Sequence, residues 1–274
     1  NHPVDFMAGV LACELGNSDK LAHFIGECSE MGISVLGPDV NESGENFTPV
    51  ETNTDNLGSI RFGLSAVKGV GDVAGKIIVE ERRSNGVFES FTDLVERVDG
   101  KSVNKRVLEC LIKSGGFDAL EGNRAALLAD VDRAMGEAQL RRKDREAGQS
   151  NLFDLMGGEG DNSTGSSNDF SPSQPNAEIP EMEELEKLKL EKELLGFFLS
   201  GHPIDTLGGL GPLFDTINQT DLDDLENKRA FRLCGVVSEV ERRYTKKDAK
   251  PWARFTLLAK EKDFSFPMFP EAYE

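Results

Sequence analysis

The chain has 274 residues, 38% of them hydrophobic and 7% aromatic, with 31 Lys plus Arg against 49 Asp plus Glu for a formal net charge of −18. At about 150 residues per domain this is one large domain or two to three small ones, and no apolar run approaches the roughly 18 to 20 residues of a membrane span. The scattered Cys13, Cys28, Cys110 and Cys234 and the isolated His2, His23 and His202 exclude a zinc site, a disulfide framework and a histidine triad, and predict reduced thiols in a cytoplasmic protein.

The chain opens on Asn1 with no charged-then-apolar leader, which reads as an internal segment of a longer, non-secreted protein. Residues 3 to 31 carry helical periodicity through Phe6, Met7, Val10 and Leu11 and again through Leu21, Phe24, Ile25 and Cys28, with a turn at Gly16–Ser18 and Ser18 as N-cap. Ile33–Leu36, Phe47–Val50 and Ile60–Phe62 alternate like short strands between Gly, Asn and Asp turns. Residues 64 to 147 return to helix, and a basic cluster at Arg141, Arg142, Lys143 and Arg145 reads as a solvated face. Gly157 to Ala177 lacks the apolar residues to offset ordering entropy and is expected to be a disordered linker. Pro180 to Ser200 is a charged helix, apolar on two sides near its end and expected to be wedged between two units; Gly201-His202-Pro203 stops it. From Phe231 onward three strands are predicted, the second around Trp252–Leu258 and the third around Phe264–Phe269. Three strands are few for an independent sheet, so this unit is read as a truncated barrel.

The charge is segregated. Residues 56 to 115 carry ten basic and eight acidic side chains, and residues 228 to 262 carry eleven and four, leaving −27 for the remainder. Two neutral-to-basic stretches on an acidic frame fit a polyanion held at chosen places.

Four motifs carry chemistry. Leu64-Ser65-Ala66-Val67-Lys68-Gly69-Val70-Gly71 reads as a short helix, a Gly-h-Gly hairpin and a second helix from about Asp72 to Arg83. Free amides opening that second helix, backed by its dipole, suit a phosphate oxygen, and Lys68, Lys76, Arg82 and Arg83 offer counter-charge. Ser102-Val103-Asn104-Lys105-Arg106 starts a second, mostly structural copy running through Leu108, Leu111 and Ile112 to Gly115-Gly116, with Ser102 as N-cap. Gln149, Leu152 and Phe153 have the form of a peptide that docks on a ring-shaped sliding clamp, apolar side chains filling a pocket and the amide bonding its rim. Arg242, Arg243, Lys246, Lys247 and Lys250, interleaved with Tyr244 and Trp252, fit a single-stranded nucleic-acid groove or, equally, a solvated hairpin tip. Asp130-Val131-Asp132 and Asp221-Leu222-Asp223 mimic metal-binding pairs but read as structural, so no catalytic or metal residue is assigned.

In this order the motifs resemble the alpha (catalytic) subunits of bacterial DNA polymerase III, of the DnaE type. The resemblance rests on Pro3-Val4-Asp5-Phe6-Met7, Pro38-Asp39-Val40-Asn41, Ile60-Arg61-Phe62-Gly63-Leu64, Leu111-Ile112-Lys113-Ser114-Gly115 and Gly196-Phe197-Phe198-Leu199-Ser200-Gly201-His202-Pro203. It implies the end of a fingers domain at residues 1–56, a tandem helix-hairpin-helix module with its following helix at 57–148, a clamp-binding peptide and linker at 149–179, a connecting helical segment at 180–227 and the start of an oligonucleotide-binding (OB) domain at 228–274. The expected fold is mainly α with a C-terminal β segment, the tandem module followed by a truncated OB-type barrel. Gly37 departs from the family, which usually has a second proline there.

The resemblance implies the DNA-holding, clamp-docking part of a DNA-directed DNA polymerase, a nucleotidyltransferase of DNA replication. Duplex and single-stranded DNA, the sliding clamp (beta subunit) and other holoenzyme subunits are the implied partners, with no membrane. No cofactor is expected on this segment; Mg2+ is expected in the parent enzyme's palm. The competing reading is a non-catalytic repair or recombination protein built from the same modules.

Overall fold

The structure is a computed structural model that describes residues 2–15, 17–50, 58–146, 178–207, 215, 231–245, 248–259 and 263–273. The expected linker from Gly157 to Ala177 and the Asp221–Asp223 pair lie outside the described residues. The chain divides into two compact units, Asn1–Leu199 and Ser200–Glu274.

The first unit opens with α1 (Pro3–Cys13) and α2 (Ser18–Glu30). Pro3 sits in the first turn, where its missing N–H costs nothing. Asn17, rather than Ser18, caps α2 by accepting from the Lys20 amide at 3.2 Å. Met7, Leu11, Leu21 and Cys28 are buried as the periodicity requires, but Phe6 is 69% exposed.

A small mixed sheet follows, β1 (Ile33–Leu36), β2 (Thr48–Val50) and β3 (Gly58–Arg61). β3 lies in the middle, parallel to β1 and antiparallel to β2. A Cβ on Gly37, just after β1, would come within 2.5 Å of Leu199 Cδ2, the end of a flexible side chain, so a larger residue there requires Leu199 to shift.

The predicted helical stretch is broken into separate pieces. A 3-10 turn at Leu64–Ala66 leads to α3 (Gly71–Asn85), α4 (Phe91–Arg97), α5 (Lys105–Lys113) and α6 (Arg124–Glu146). Ser90 caps α4 through the Asp93 amide at 3.0 Å. Asn104 caps α5 through the Val107 amide at 3.2 Å, while the expected cap Ser102 donates to Asp99 Oδ2 instead. Phe62, Phe88, Phe91 and Phe117 lie fully buried in one continuous core, each burial contributing about 1.5–3 kcal/mol. Arg141 pairs with Glu96, and Arg142 donates to the carbonyls of Val95 and Glu96 at the end of α4, so these two arginines staple α6 to α4.

The charged helix is shorter than its periodicity. α7 spans Glu184–Leu195 and ends where Gly196 turns left-handed at φ 93°. Leu188, Glu191, Leu194 and Leu195 are buried, whereas Leu185, three residues before Leu188 and so on the same apolar row, is 40% exposed. Leu194 and Leu195 join the core of the first unit, and Phe197 reaches the ring of Phe62 at 6.0 Å.

The second unit contains β4 (Val236–Tyr244), β5 (Pro251–Leu258), β6 (Asp263–Met268) and a terminal turn of helix, α8 (Pro270–Tyr273). The strands form an antiparallel meander in the order β4-β5-β6, with no closed barrel among the described residues. The fold is thus mainly α with a C-terminal antiparallel β segment.

Candidate nucleic-acid interface

The hairpin between the 3-10 turn and α3 has the geometry that its glycines require. Gly69 and Gly71 have φ of 91° and 74°, which side chains rarely adopt. Val70 between them is 6% exposed and anchors the bend in the core. Its amide donates to the Val67 carbonyl at 3.1 Å. Val70 is the N-cap residue of α3 and supplies no side-chain cap, so the first-turn amides face outward at the positive end of the dipole. Asp72 in that turn is exposed and opposes an anion.

The predicted cations divide sharply. Lys68 is exposed at the hairpin. Lys76 is exposed but lies 3.7 Å from Glu80. Arg82 turns inward and donates to the carbonyls of Val40 and Ser43 at 2.7 and 2.8 Å, and burial together with Arg83 lowers its pKa. Arg83 sits twelve residues beyond Gly71, about 18 Å along the helix. Arg82 and Arg83 therefore do not belong to the hairpin site.

Arg106, in the first turn of α5, does belong to it. Its Nε lies 4.0 Å from where a Gly69 Cβ would stand. A cleft of about 480 Å³ opens here, lined by Lys68, Gly69, Arg106, Cys110, Lys113 and Leu194. Glu109 and Glu193 share its wall, and Glu109 lies 3.7 Å from the Lys113 ammonium. Lys68 and Arg106 are exposed and have no ion-pair partner among the described residues. Burial pushes the Cys110 thiol up from its ordinary value against the pull of Lys113 and Arg106, which keeps it protonated. The sequence signal for Arg106 was its place in the first turn of α5, where a tandem arrangement brings it back to the first hairpin.

Lys105, the neighbouring cation of the second motif, is exposed but already paired. Lys105 binds both oxygens of Asp132 at 2.7 and 2.8 Å, and Asp130 pairs with Arg133 at 2.6 Å. The Asp130–Asp132 pair is thus structural, each carboxylate held by a different cation. No cluster of three or more His, Cys, Asp or Glu suited to a metal ion occurs among the described residues.

In the second unit, strand alternation separates neighbours that look adjacent in sequence. Arg243 stands opposite Trp252, its guanidinium 5.8 Å from the indole ring. Arg242 stands opposite Ala253 on the other face, alongside Val240 and Phe255. Glu241 holds Arg243 at 2.6 Å, and Glu239, Glu241 and Arg254 share the Trp252 face, which is mixed in charge. Lys246 and Lys247 lie outside the described residues, as do Gln149, Leu152 and Phe153. No described helix is long and apolar enough to cross a membrane.

The helix-hairpin-helix motif family matches residues 32–127, a span that contains the 3-10 turn, the Gly69–Gly71 bend and α3 to α5. Curated relatives named DNA polymerase III subunit alpha align with most or all of the chain. The Neisseria meningitidis serogroup B protein is 39% identical over 88% of this chain and 19% of its own length. The Thermus aquaticus protein is 37% identical over 100% and 21%, and that of Mycobacterium tuberculosis H37Rv is 35% identical over 100% and 22%. The chain therefore spans about a fifth of the length of the relatives it matches, and it belongs to the family of DNA polymerase III alpha subunits.

Proposed function

We propose that this chain is the DNA-holding part of a replicative DNA-directed DNA polymerase, gripping the phosphates of duplex DNA without reading sequence. One observation carries the reading: an uncapped helix N-terminus behind two positive-φ glycines, with the free cations Lys68 and Arg106 on the same cleft. The cleft begins at Gly69, two residues before α3 starts, and amides, a helix dipole and cations all favour a phosphate oxygen; such contacts position a duplex but carry no base information. The names of the relatives favour this reading over a non-catalytic repair protein.

In this reading nucleotide transfer and its Mg2+ belong to other parts of the longer enzyme, and this segment holds no cofactor. Gln149, Leu152 and Phe153 dock on the sliding clamp, which ties the held duplex to a processivity ring and to the other holoenzyme subunits. The Trp252–Arg243 face of an OB-type unit meets single-stranded template. A cytoplasmic location follows from the replicative role alone.

Fluorescence anisotropy with labelled duplexes of unrelated sequence tests the proposal. The 274-residue chain is expected to bind them all alike, with an affinity that falls steeply with salt. Salt-insensitive or absent binding overturns it.

A further inference from the structure

The phosphate site uses the hairpin and α5, yet its geometry depends on α7, a helix with no nucleic-acid feature in its sequence. The Lys68 amide donates to the Leu194 carbonyl at 3.0 Å. That carbonyl is in the last turn of α7, where no intrahelical donor remains. The hairpin and the helix end thus satisfy each other one residue before Gly69.

α7 is itself fixed by a buried ion pair one turn earlier. Arg124 and Glu191 have side chains 3% and 0% exposed, with Nη2 and Oε1 3.1 Å apart. Glu191 Oε2 accepts from the Leu199 amide at 3.1 Å. The remaining Arg124 donors go to Asp118 and to the Lys113 carbonyl at the end of α5. Burying two charges yields little net stability, and its best-attested use is to fix register. A one-residue slip of α7 would displace the Leu194 carbonyl by about 1.5 Å, enough to break its bond to Lys68.

We infer that Glu191 is a positioning residue for the phosphate-binding hairpin: clamped on Arg124, it sets the register of α7, and α7 holds the Lys68 amide and the bend behind it. The consequence for DNA affinity rests on the proposed duplex binding; the brace itself does not.

The test uses the 274-residue chain with Glu191→Gln, and with Asp118→Asn, which perturbs Arg124 from its 45% exposed partner. Amide exchange at Lys68, read by NMR without DNA, reports the brace. For Glu191→Gln it is expected to quicken about tenfold, and the duplex Kd to rise about fivefold, roughly 1 kcal/mol. For Asp118→Asn, which loosens Arg124 but keeps its contact with Glu191, both are expected to change in the same direction by less than half as much. Unchanged Lys68 exchange in Glu191→Gln, or an equal change in Asp118→Asn, overturns the inference. Should Glu191→Gln not fold, Glu191→Asp keeps the charge on a shorter arm, and an unmoved Lys68 amide signal there is equally fatal. A wild-type chain that binds no duplex defeats the proposed function, while exchange at Lys68 still decides the brace.

Discussion

Gly69 and Cys110 face each other so closely that a Cβ on Gly69 would lie 2.7 Å from the Cys110 sulfur. The bend is thus constrained twice, by a φ of 91° and by the first turns of α5 packed against it. Gly71, at φ 74°, has open space where its Cβ would be. Gly71→Ala is expected to cost about 1–2 kcal/mol from backbone strain alone. Gly69→Ala adds crowding of about 1–3 kcal/mol. Only Gly69→Ala is expected to couple to Cys110→Ala, by at least about 0.5 kcal/mol in a double-mutant cycle read from urea melts. Strict additivity of Gly69 and Cys110 would show that the close approach is relieved elsewhere.

The free cations make a second prediction. Lys68→Ala and Arg106→Ala are each expected to lower the slope of log K against log salt by about 0.9, as one phosphate contact is lost. The loss should be the same on duplexes of any sequence. Lys76→Ala is expected to do less, because Glu80 already offsets its charge. A loss confined to one duplex sequence would mean that bases are read.

Much of this was legible in the sequence, and the exceptions share a cause. The glycine spacing of the hairpin, the C-terminal place of the β segment and the break between α1 and α2 follow from local sequence, and each is found, although Ser18, expected in that turn, is the first residue of α2. Local sequence points Arg82 at phosphate and gives Arg106 no role, because a helix face is chosen by what packs on it: the carbonyls of Val40 and Ser43 claim Arg82, and the return of the chain through α5 delivers Arg106. Phe6 and Leu185 fit an apolar period yet stay exposed, since periodicity marks a face without supplying a neighbour. The role of Glu191 was hidden for the same reason; its partner lies 67 residues away.

The β segment yields a third prediction, from strand parity. Trp252 and Arg243 share a face and Arg242 lies on the other. Trp252→Ala is expected to weaken single-stranded DNA binding by about 1–3 kcal/mol, the worth of one stacked base. Arg242→Ala is expected to leave it within about twofold, below roughly 0.5 kcal/mol. Equal losses on a poly-thymidine probe would show that both faces meet the strand.

Clamp docking is separable from DNA binding. Changing Leu152 and Phe153 together to Ala removes the apolar anchors of the proposed peptide and is expected to abolish clamp binding in surface plasmon resonance. Duplex affinity should not change, because the proposed phosphate contacts come from Lys68, Arg106 and the amides that open α3. Retained clamp affinity in the double variant would remove these residues from the interface.

The last prediction concerns acid. Glu181 accepts from the amides of Arg124 and Ala125 at 3.1 and 3.3 Å and from Met182 at 2.8 Å, and Lys187 reaches it at 2.9 Å. Burial alone would raise its pKa, but Lys187 and the three amides outweigh burial and hold the carboxyl below its ordinary value. A carboxylate depressed in the folded state stabilises it fully above the unfolded pKa of about 4.3 and loses that contribution as pH falls through the folded value. Glu181 caps the start of α6 from the far side of the sequence, so its protonation releases the segment that leads into α7. Glu181→Gln is expected to lower the melting midpoint by about 2–4 °C at pH 7, for a loss near 1 kcal/mol. The gap between variant and wild type should narrow as the pH falls below about 4.3 and close once the pH is below the depressed folded-state value. A gap that is constant from pH 7 to pH 2 would show that the side chain acts by its shape and not by its charge.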